Sequence, residues 1–165
     1  NPVEKAEQLL SFVTDYELDE NGKMIRPIAN VKTFTTLLQV YIKCKLLDKL
    51  APILDEELPK RNIKVDCRAV YTVMNAHYKN GSVTTAIEIF ESLPTKYPNL
   101  RVDEFLYTLA LKSYAQLKQV EKCEATLAAM KHAKINLSSE AKQALVQLYT
   151  DMGDHAKAIS VSIMQ

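Results

Sequence analysis

The sequence is short of the residues that punctuate β-rich and disordered chains. It has 3 glycines and 6 prolines in 165 residues, while 47% of residues are hydrophobic and 25% charged. That balance excludes low-complexity disorder and turn-dense β architectures, and it leaves helix as the default for a folded, soluble chain. Cysteine is equally sparse. Cys44, Cys67 and Cys123 are odd in number and far apart, with no C-x-x-C pair, which argues against a disulfide framework or a zinc site and fits a reducing compartment. No uncharged apolar run approaches the roughly 18 residues that read as a membrane-spanning helix. Charge of one sign is missing too. With 21 basic and 20 acidic residues the net charge is +1, so the broad positive field of a typical nucleic-acid binder is absent and any basic surface must be local. There is no initiator Met and no cleavable-leader pattern before the amphipathic run that follows Asn1-Pro2. The sequence therefore reads as a fragment of a longer chain.

What is present is a repeat. The segment at residues 31–43, VKTFTTLLQVYIK, returns in outline at 67–79, 104–116 and 139–151, at spacings of 36, 37 and 35 residues. Periods of this size mark helical arrays. Apolar or aromatic residues fill the fourth, seventh, eighth and eleventh places of each copy, which is one face of an amphipathic helix. They are Phe34, Leu37, Leu38 and Tyr41, then Val70, Val73, Met74 and His77, then Tyr107, Ala110, Leu111 and Tyr114. In the fourth copy Leu145, Val146 and Tyr149 follow an exceptional Lys142.

A second helix is expected after a short turn in each copy, with Gly81 and Gly153 ending one helix and Ser82 or Asp154 capping the next. Its stripes are Leu47, Leu50, Leu54 and Leu58; Val83, Ala86, Ile87, Phe90 and Leu93; and Val120, Cys123, Leu127 and Met130. Val3, Ala6, Leu10 and Val13 suggest the second helix of an earlier repeat. Residues 19–30, with Asn21-Gly22 and Pro27, read as a mobile surface loop. Pro52 falls early in a predicted helix, which either begins near Asp48 or kinks there. Helix pairs of this kind cannot bury their stripes alone, whereas stacked neighbours can. The expected architecture is an all-α, right-handed α-solenoid of helix-turn-helix repeats. Its segments are 1–30 (a second helix plus connector), 31–66, 67–103, 104–138 and a partial repeat at 139–165, all in one domain.

Tetratricopeptide repeats place a small residue at the eighth position and Ala late in the second helix. Here the eighth positions are Leu38, Met74, Leu111 and Val146. The chain instead resembles the pentatricopeptide repeat family, through NVKTFTTLLQVYIK, the KNG turn, AIEIFESL and connectors ending in Asp. The resemblance implies RNA binding, with one base read per repeat by two or three side chains. It assigns base reading to the fifth residue of a repeat and the last residue before the next. These pairs are Thr35 with Asp66, Tyr71 with Asp103, and Thr108 with Ser138, while Gln143 and Asn30 each hold half of a pair. Thr with Asp resembles the family's guanine-preferring pair, and Thr with Ser suggests a purine. Tyr71 departs from the usual Asn, Thr or Ser. The second position, usually Val and used to sandwich bases, holds Lys32, Arg68, Phe105 and Glu140. Lys32 and Arg68 would engage phosphate, Phe105 would stack, and Glu140 would repel the backbone. The phosphate-facing Lys of the thirteenth position is present as Lys43 and Lys79 and replaced by Gln116 and Asp151.

The first two windows sum to +4 and the last two to −1, so an anion track is expected in the first half only. Each site residue also has a plain reading. Thr35, Thr108 and the Asp residues suit helix capping, the lysines suit solvent, and Tyr41, Tyr114 and Tyr149 suit packing. His77 fits a core or interface, His132 and His155 lack metal-ligand spacing, and Asp55-Glu56-Glu57 reads as a solvated face. No catalytic constellation, cofactor motif or small-molecule substrate site is indicated. The expected partner is single-stranded RNA in a mitochondrion or chloroplast, for processing, stability or translation. The alternative is a scaffold subunit docking on protein or rRNA in an assembly such as an organellar ribosome.

Overall fold

The computed structural model describes residues 31–164 together with residues 4, 5, 8, 11 and 20–22, and among these it contains helix and turn but no strand. The half repeat expected at residues 3–15 and the loop expected at 19–30 lie outside the described residues, apart from helical positions 4, 5, 8 and 11 and an exposed turn at 20–22. The chain divides into two compact units, Asn1–Ala76 and His77–Gln165.

In the first unit, α1 (Val31–Lys43) buries Phe34, Leu37, Leu38 and Tyr41, the four residues of the predicted stripe. The following helix, α2 (residues 47–60), is not uniform. It opens as a 3₁₀ turn at Leu47–Lys49, turns α-helical at Leu50–Pro52, widens to a π-helix at Ile53–Glu57 and returns to α at Leu58–Lys60. Two prolines explain the widening. Pro52 and Pro59 have no N–H to give, and each ring crowds the carbonyl one turn back. The Leu58 N–H instead reaches the Ile53 carbonyl, a five-residue step typical of π-bulges. The bulge keeps Leu50, Ile53, Leu54 and Leu58 buried, while Leu47 is only half-buried. Arg61 ends the helix by donating to the Glu57 carbonyl and carboxylate, at 2.7 Å each, and its guanidinium covers the buried Phe34 ring at 5.5 Å.

The boundary between units falls within α3 (Cys67–Lys79), which buries Ala69, Val70, Val73, Met74 and Ala76. His77 is half-buried, not fully covered as the stripe implied.

The second unit contains α4 (Val83–Lys96), α5 (Glu104–Gln116), α6 (Val120–His132), α7 (Ser139–Asp151) and α8 (His155–Ser162). Helix α5 packs against α4, α6 and α7, and α7 packs against α8. Contact on three sides widens the buried face beyond one stripe. Leu106, Leu109 and Ser113 are buried alongside Ala110, Leu111 and Tyr114, whereas Tyr107 is half-covered. The same widening buries Leu148 in place of Val146, and Thr126 in place of Leu127. A fully buried leucine such as Leu111 contributes about 1.5–3 kcal/mol. Phe90 of α4 meets Tyr107 and Tyr114 of α5 edge-on, with centroids 5.9 and 6.5 Å apart.

A left-handed residue recurs at the turn inside every copy. Lys45, Gly81, Lys118 and Gly153 have φ of 59°, 84°, 56° and 77°, and they are spaced 36, 37 and 35 residues apart. Glycine adopts this conformation without strain, whereas lysine bears the Cβ penalty. Asp154 caps α8 as expected, accepting from the Lys157 N–H at 3.0 Å. Ser82 makes no side-chain cap on α4; its backbone N–H is instead tied to the His77 carbonyl at 2.9 Å.

Candidate nucleic-acid interface

The first helices α3, α5 and α7 start in the same way. The carboxylate of Asp66 accepts from the Ala69 N–H at 2.8 Å, that of Asp103 from the Leu106 N–H at 3.0 Å, and the Ser138 hydroxyl from the Ala141 N–H at 3.2 Å. Each satisfies one of the amide donors that a helix leaves open at its start. The residue before each of these three helices is thus a helix cap. The cap uses one oxygen of each Asp, so capping leaves a second carboxylate oxygen for other work.

The fifth residues lie one turn further along. Thr35 is half-buried, and its hydroxyl donates back to the Val31 carbonyl at 2.8 Å. Tyr71 is half-buried. Thr108 is joined directly to its predicted partner, the hydroxyl oxygens of Thr108 and Ser138 lying 2.8 Å apart across 30 residues of sequence. Gln143 is exposed, and Asn30 lies outside the described residues.

The second positions all face solvent. Lys32, Arg68, Phe105 and Glu140 are exposed, as are Lys43 and Lys79 at the thirteenth position. Phe105 is 67% exposed, a large aromatic surface. Glu140 is engaged by Lys112 at 2.7 Å, and that hydrogen bond, with the attraction of the ammonium, holds its carboxyl below the usual carboxylate range. The same ammonium lies 5.7 Å from the centre of the Tyr78 ring. Reading the sequence missed Lys112, because its partner is 28 residues away. The repeat period was the available signal, since it sets the ninth place of one copy beside the second place of the next.

Tyr41, Tyr114 and Tyr149 are buried and act as packing residues. Tyr114 donates to the Glu91 carboxylate at 3.1 Å, and Lys122 holds the same group at 3.0 Å. Burial first, then the Glu91 charge, pushes the Tyr114 phenol far above its ordinary value. Burial pushes the Cys123 thiol up to about 11 and draws the His77 imidazole below its ordinary value. Among the described residues no group of three or more His, Cys, Asp or Glu is arranged to hold a metal ion, and no helix is long and apolar enough to cross a membrane.

Comparison with known proteins agrees with the helical-repeat fold. Residues 70–96 match the family model of the PPR repeat. Comparison with curated proteins finds no match. Among solved structures the chain is similar to the pentatricopeptide repeat protein PPR10 from maize, with a TM-score of 0.67 and 17% identity, over 95% of this chain and 21% of that one. It is similar to PPR10 in complex with an 18-nt psaJ RNA element, with a TM-score of 0.61 and 18% identity, over 80% of this chain and 19% of that one. It is also similar to nuclear proteinaceous RNase P 2 (PRORP2) from A. thaliana, with a TM-score of 0.64 and 18% identity, over 81% of this chain and 30% of that one. The chain thus spans less than a third of the length of each. At these identities the likeness is one of fold.

Proposed function

We propose that this chain, which carries a pentatricopeptide repeat and has the all-α helical-repeat fold of that family, binds single-stranded RNA through its first helices. The observation that carries the proposal is the pairing of Thr108 with Ser138 at 2.8 Å. A fifth residue and the residue before the next repeat form one polar unit at a helix start, where a base edge can meet both. Thr35 with Asp66 and Tyr71 with Asp103 take the same roles, with Gln143 and Asn30 as halves of two further pairs. Lys32, Arg68, Lys43 and Lys79 neutralise phosphate, and the exposed ring of Phe105 stacks on a base, an interaction worth about 1–3 kcal/mol per base. The repeats run over 31–66, 67–103, 104–138 and 139–165, the last one partial.

PPR10, one of the similar proteins, is seen bound to an RNA element, which supports this reading. PRORP2 is a ribonuclease P, and the part it shares with this chain covers 30% of it. We assign this chain binding and no catalysis. Mitochondrial RNA processing, stability or translation is the setting we favour, with the chloroplast as the second choice. PRORP2 is described as nuclear, so the fold alone does not set the compartment.

A second reading has its own support. The Lys112–Glu140 pair at 2.7 Å removes a cation from the later repeats, which suits docking of those repeats on a protein in a larger assembly, the alternative in which folded rRNA would be met only by the earlier, basic repeats. One experiment separates the two: retention of random single-stranded RNA by the chain at low and moderate salt, for wild type and for Lys43→Ala/Lys79→Ala. Salt-sensitive retention that drops in the double variant supports RNA binding. No retention at low salt leaves the scaffold reading.

A further inference from the structure

Thr108 stands one turn into α5 and Ser138 caps α7, with their hydroxyl oxygens 2.8 Å apart and either atom able to donate. Each hydroxyl has one proton and two lone pairs. Ser138 commits one lone pair to the Ala141 N–H at 3.2 Å, and the mutual bond uses one of the two protons whichever way it runs. If Thr108 donates, the outward proton is on Ser138 and the outward lone pairs are on Thr108. If Ser138 donates, the outward proton is on Thr108 and Ser138 keeps one lone pair. In both arrangements the pair presents one donor beside one acceptor, and their order reverses by rotation of two hydroxyls without any movement of carbon atoms.

The four bases divide by the same order. Adenine and cytosine show a ring acceptor beside an exocyclic amino donor, while guanine and uracil show a ring N–H donor beside an exocyclic carbonyl acceptor. A fixed donor–acceptor order favours one class. A reversible order satisfies both. We infer that the Thr108–Ser138 pair is a position that engages a base without choosing among the four, unlike the pairs completed by the acceptor-only carboxylates of Asp66 and Asp103. The inference rests on the proposed RNA-binding function and departs from the purine preference that the residue types suggest.

The test is Ser138→Asp in the full 165-residue chain. Aspartate caps α3 and α5 at the equivalent place, through bonds of 2.8 and 3.0 Å, so the variant keeps its cap. The carboxylate there can accept but not donate, so the Thr108 proton is the one left to the pair, position 138 presents an acceptor only, and the order no longer reverses. Random single-stranded RNA is enriched on wild type and variant, and the bound pools are sequenced. One position, occupied within about twofold by all four bases on wild type, is expected to split amino from keto bases by at least about fivefold on the variant, the lower end of one base-edge contact. An unchanged profile, or a changed position that was already selective on wild type, overturns the inference and leaves RNA binding standing. Failure of both proteins to retain RNA overturns the proposed function and this inference with it. Circular dichroism of the variant checks that it is folded. If it is not, selectivity of more than about fivefold at every bound position on wild type alone overturns the inference, and a bound position without selectivity supports it.

Discussion

Helices α1 and α3 share a frame with α5 and α7 but not a surface. On the first pair Lys32, Lys43, Arg68 and Lys79 are exposed, and among the described residues none of the four forms an ion pair. On the second pair both cations are occupied: Lys112 holds Glu140 at 2.7 Å, and Lys142 donates to the Met164 carbonyl at 2.5 Å. The lesson concerns how charge is counted. The windows differ by five charges in sequence, +4 against −1, but the cations of the later helices are also withdrawn from use, by partners 28 and 22 residues away. An anion would meet available ammonium and guanidinium groups on the early helices and pre-formed contacts on the late ones.

The strongest way to break this comparison is to remove the cations of each half in turn. Replacing Lys32, Lys43, Arg68 and Lys79 with Ala is expected to lower RNA affinity about 10- to 100-fold at low salt. It should also flatten the slope of log affinity against log salt by nearly 3, since each neutralised phosphate of a single strand contributes about 0.7. Lys112→Ala/Lys142→Ala should change affinity less than about threefold. Equal losses in filter binding would show that the halves are equivalent after all.

The turns offer a second contrast, with glycine at the left-handed position of the α3–α4 and α7–α8 turns and lysine at that of the α5–α6 turn. A Cβ on Gly81 would meet nothing within 4 Å, so Gly81→Ala is expected to lower stability through backbone strain alone, by about 1–2 kcal/mol. Lys118→Gly should act the other way, raising stability by up to about 1 kcal/mol once the greater freedom of glycine in the unfolded chain is set against the relief of strain. Urea denaturation of the two variants measures both, and a loss with Lys118→Gly would show that this lysine is not strained.

Smaller effects sharpen the picture. Glu140→Gln removes the carboxylate charge that Lys112 holds and should raise RNA affinity about two- to threefold, with a steeper salt dependence, making the charge of α5 more like that of α1 and α3. His77 is the one imidazole at an eleventh position otherwise held by Tyr41, Tyr114 and Tyr149. Burial lowers its folded-state pKa, so below the ordinary imidazole value of about 6.5 the unfolded chain takes up the proton first. Stability should therefore fall as pH drops from 7 through 6.5 until the folded imidazole also protonates, and His77→Tyr should flatten that part of the profile. A urea midpoint that does not move with pH in this range would contradict the assignment.

How much was legible varied by element. The stripe of α1 was read residue for residue, because a helix with one strongly apolar face has one way to bury it. The buried faces of α5 and α7 were read in part. Leu106, Leu109 and Leu148 are covered by neighbouring helices, and a periodic template for one face cannot register a second covered side. Pro52 signalled a disturbance in α2 but not its form, since a late start, a kink and a π-bulge all relieve a missing N–H. Gly81 and Gly153 announced their turns by composition, whereas Lys45 and Lys118 adopt the same backbone with no local sign. For the candidate site, Thr108 and Ser138 were paired only by the family resemblance, and their bond, like the Lys112–Glu140 pair, joins residues that only packing of α5 on α7 brings together.

The sequence by itself determined the repeat, its period, the helical class and the order of the elements, because these follow from apolar spacing and turn residues within about a dozen neighbours. Tertiary structure decided which faces are doubly buried, which cations are already partnered and which hydroxyls meet. Those outcomes depend on distances between segments about 30 residues apart, which are set only once one helix pair packs upon the next.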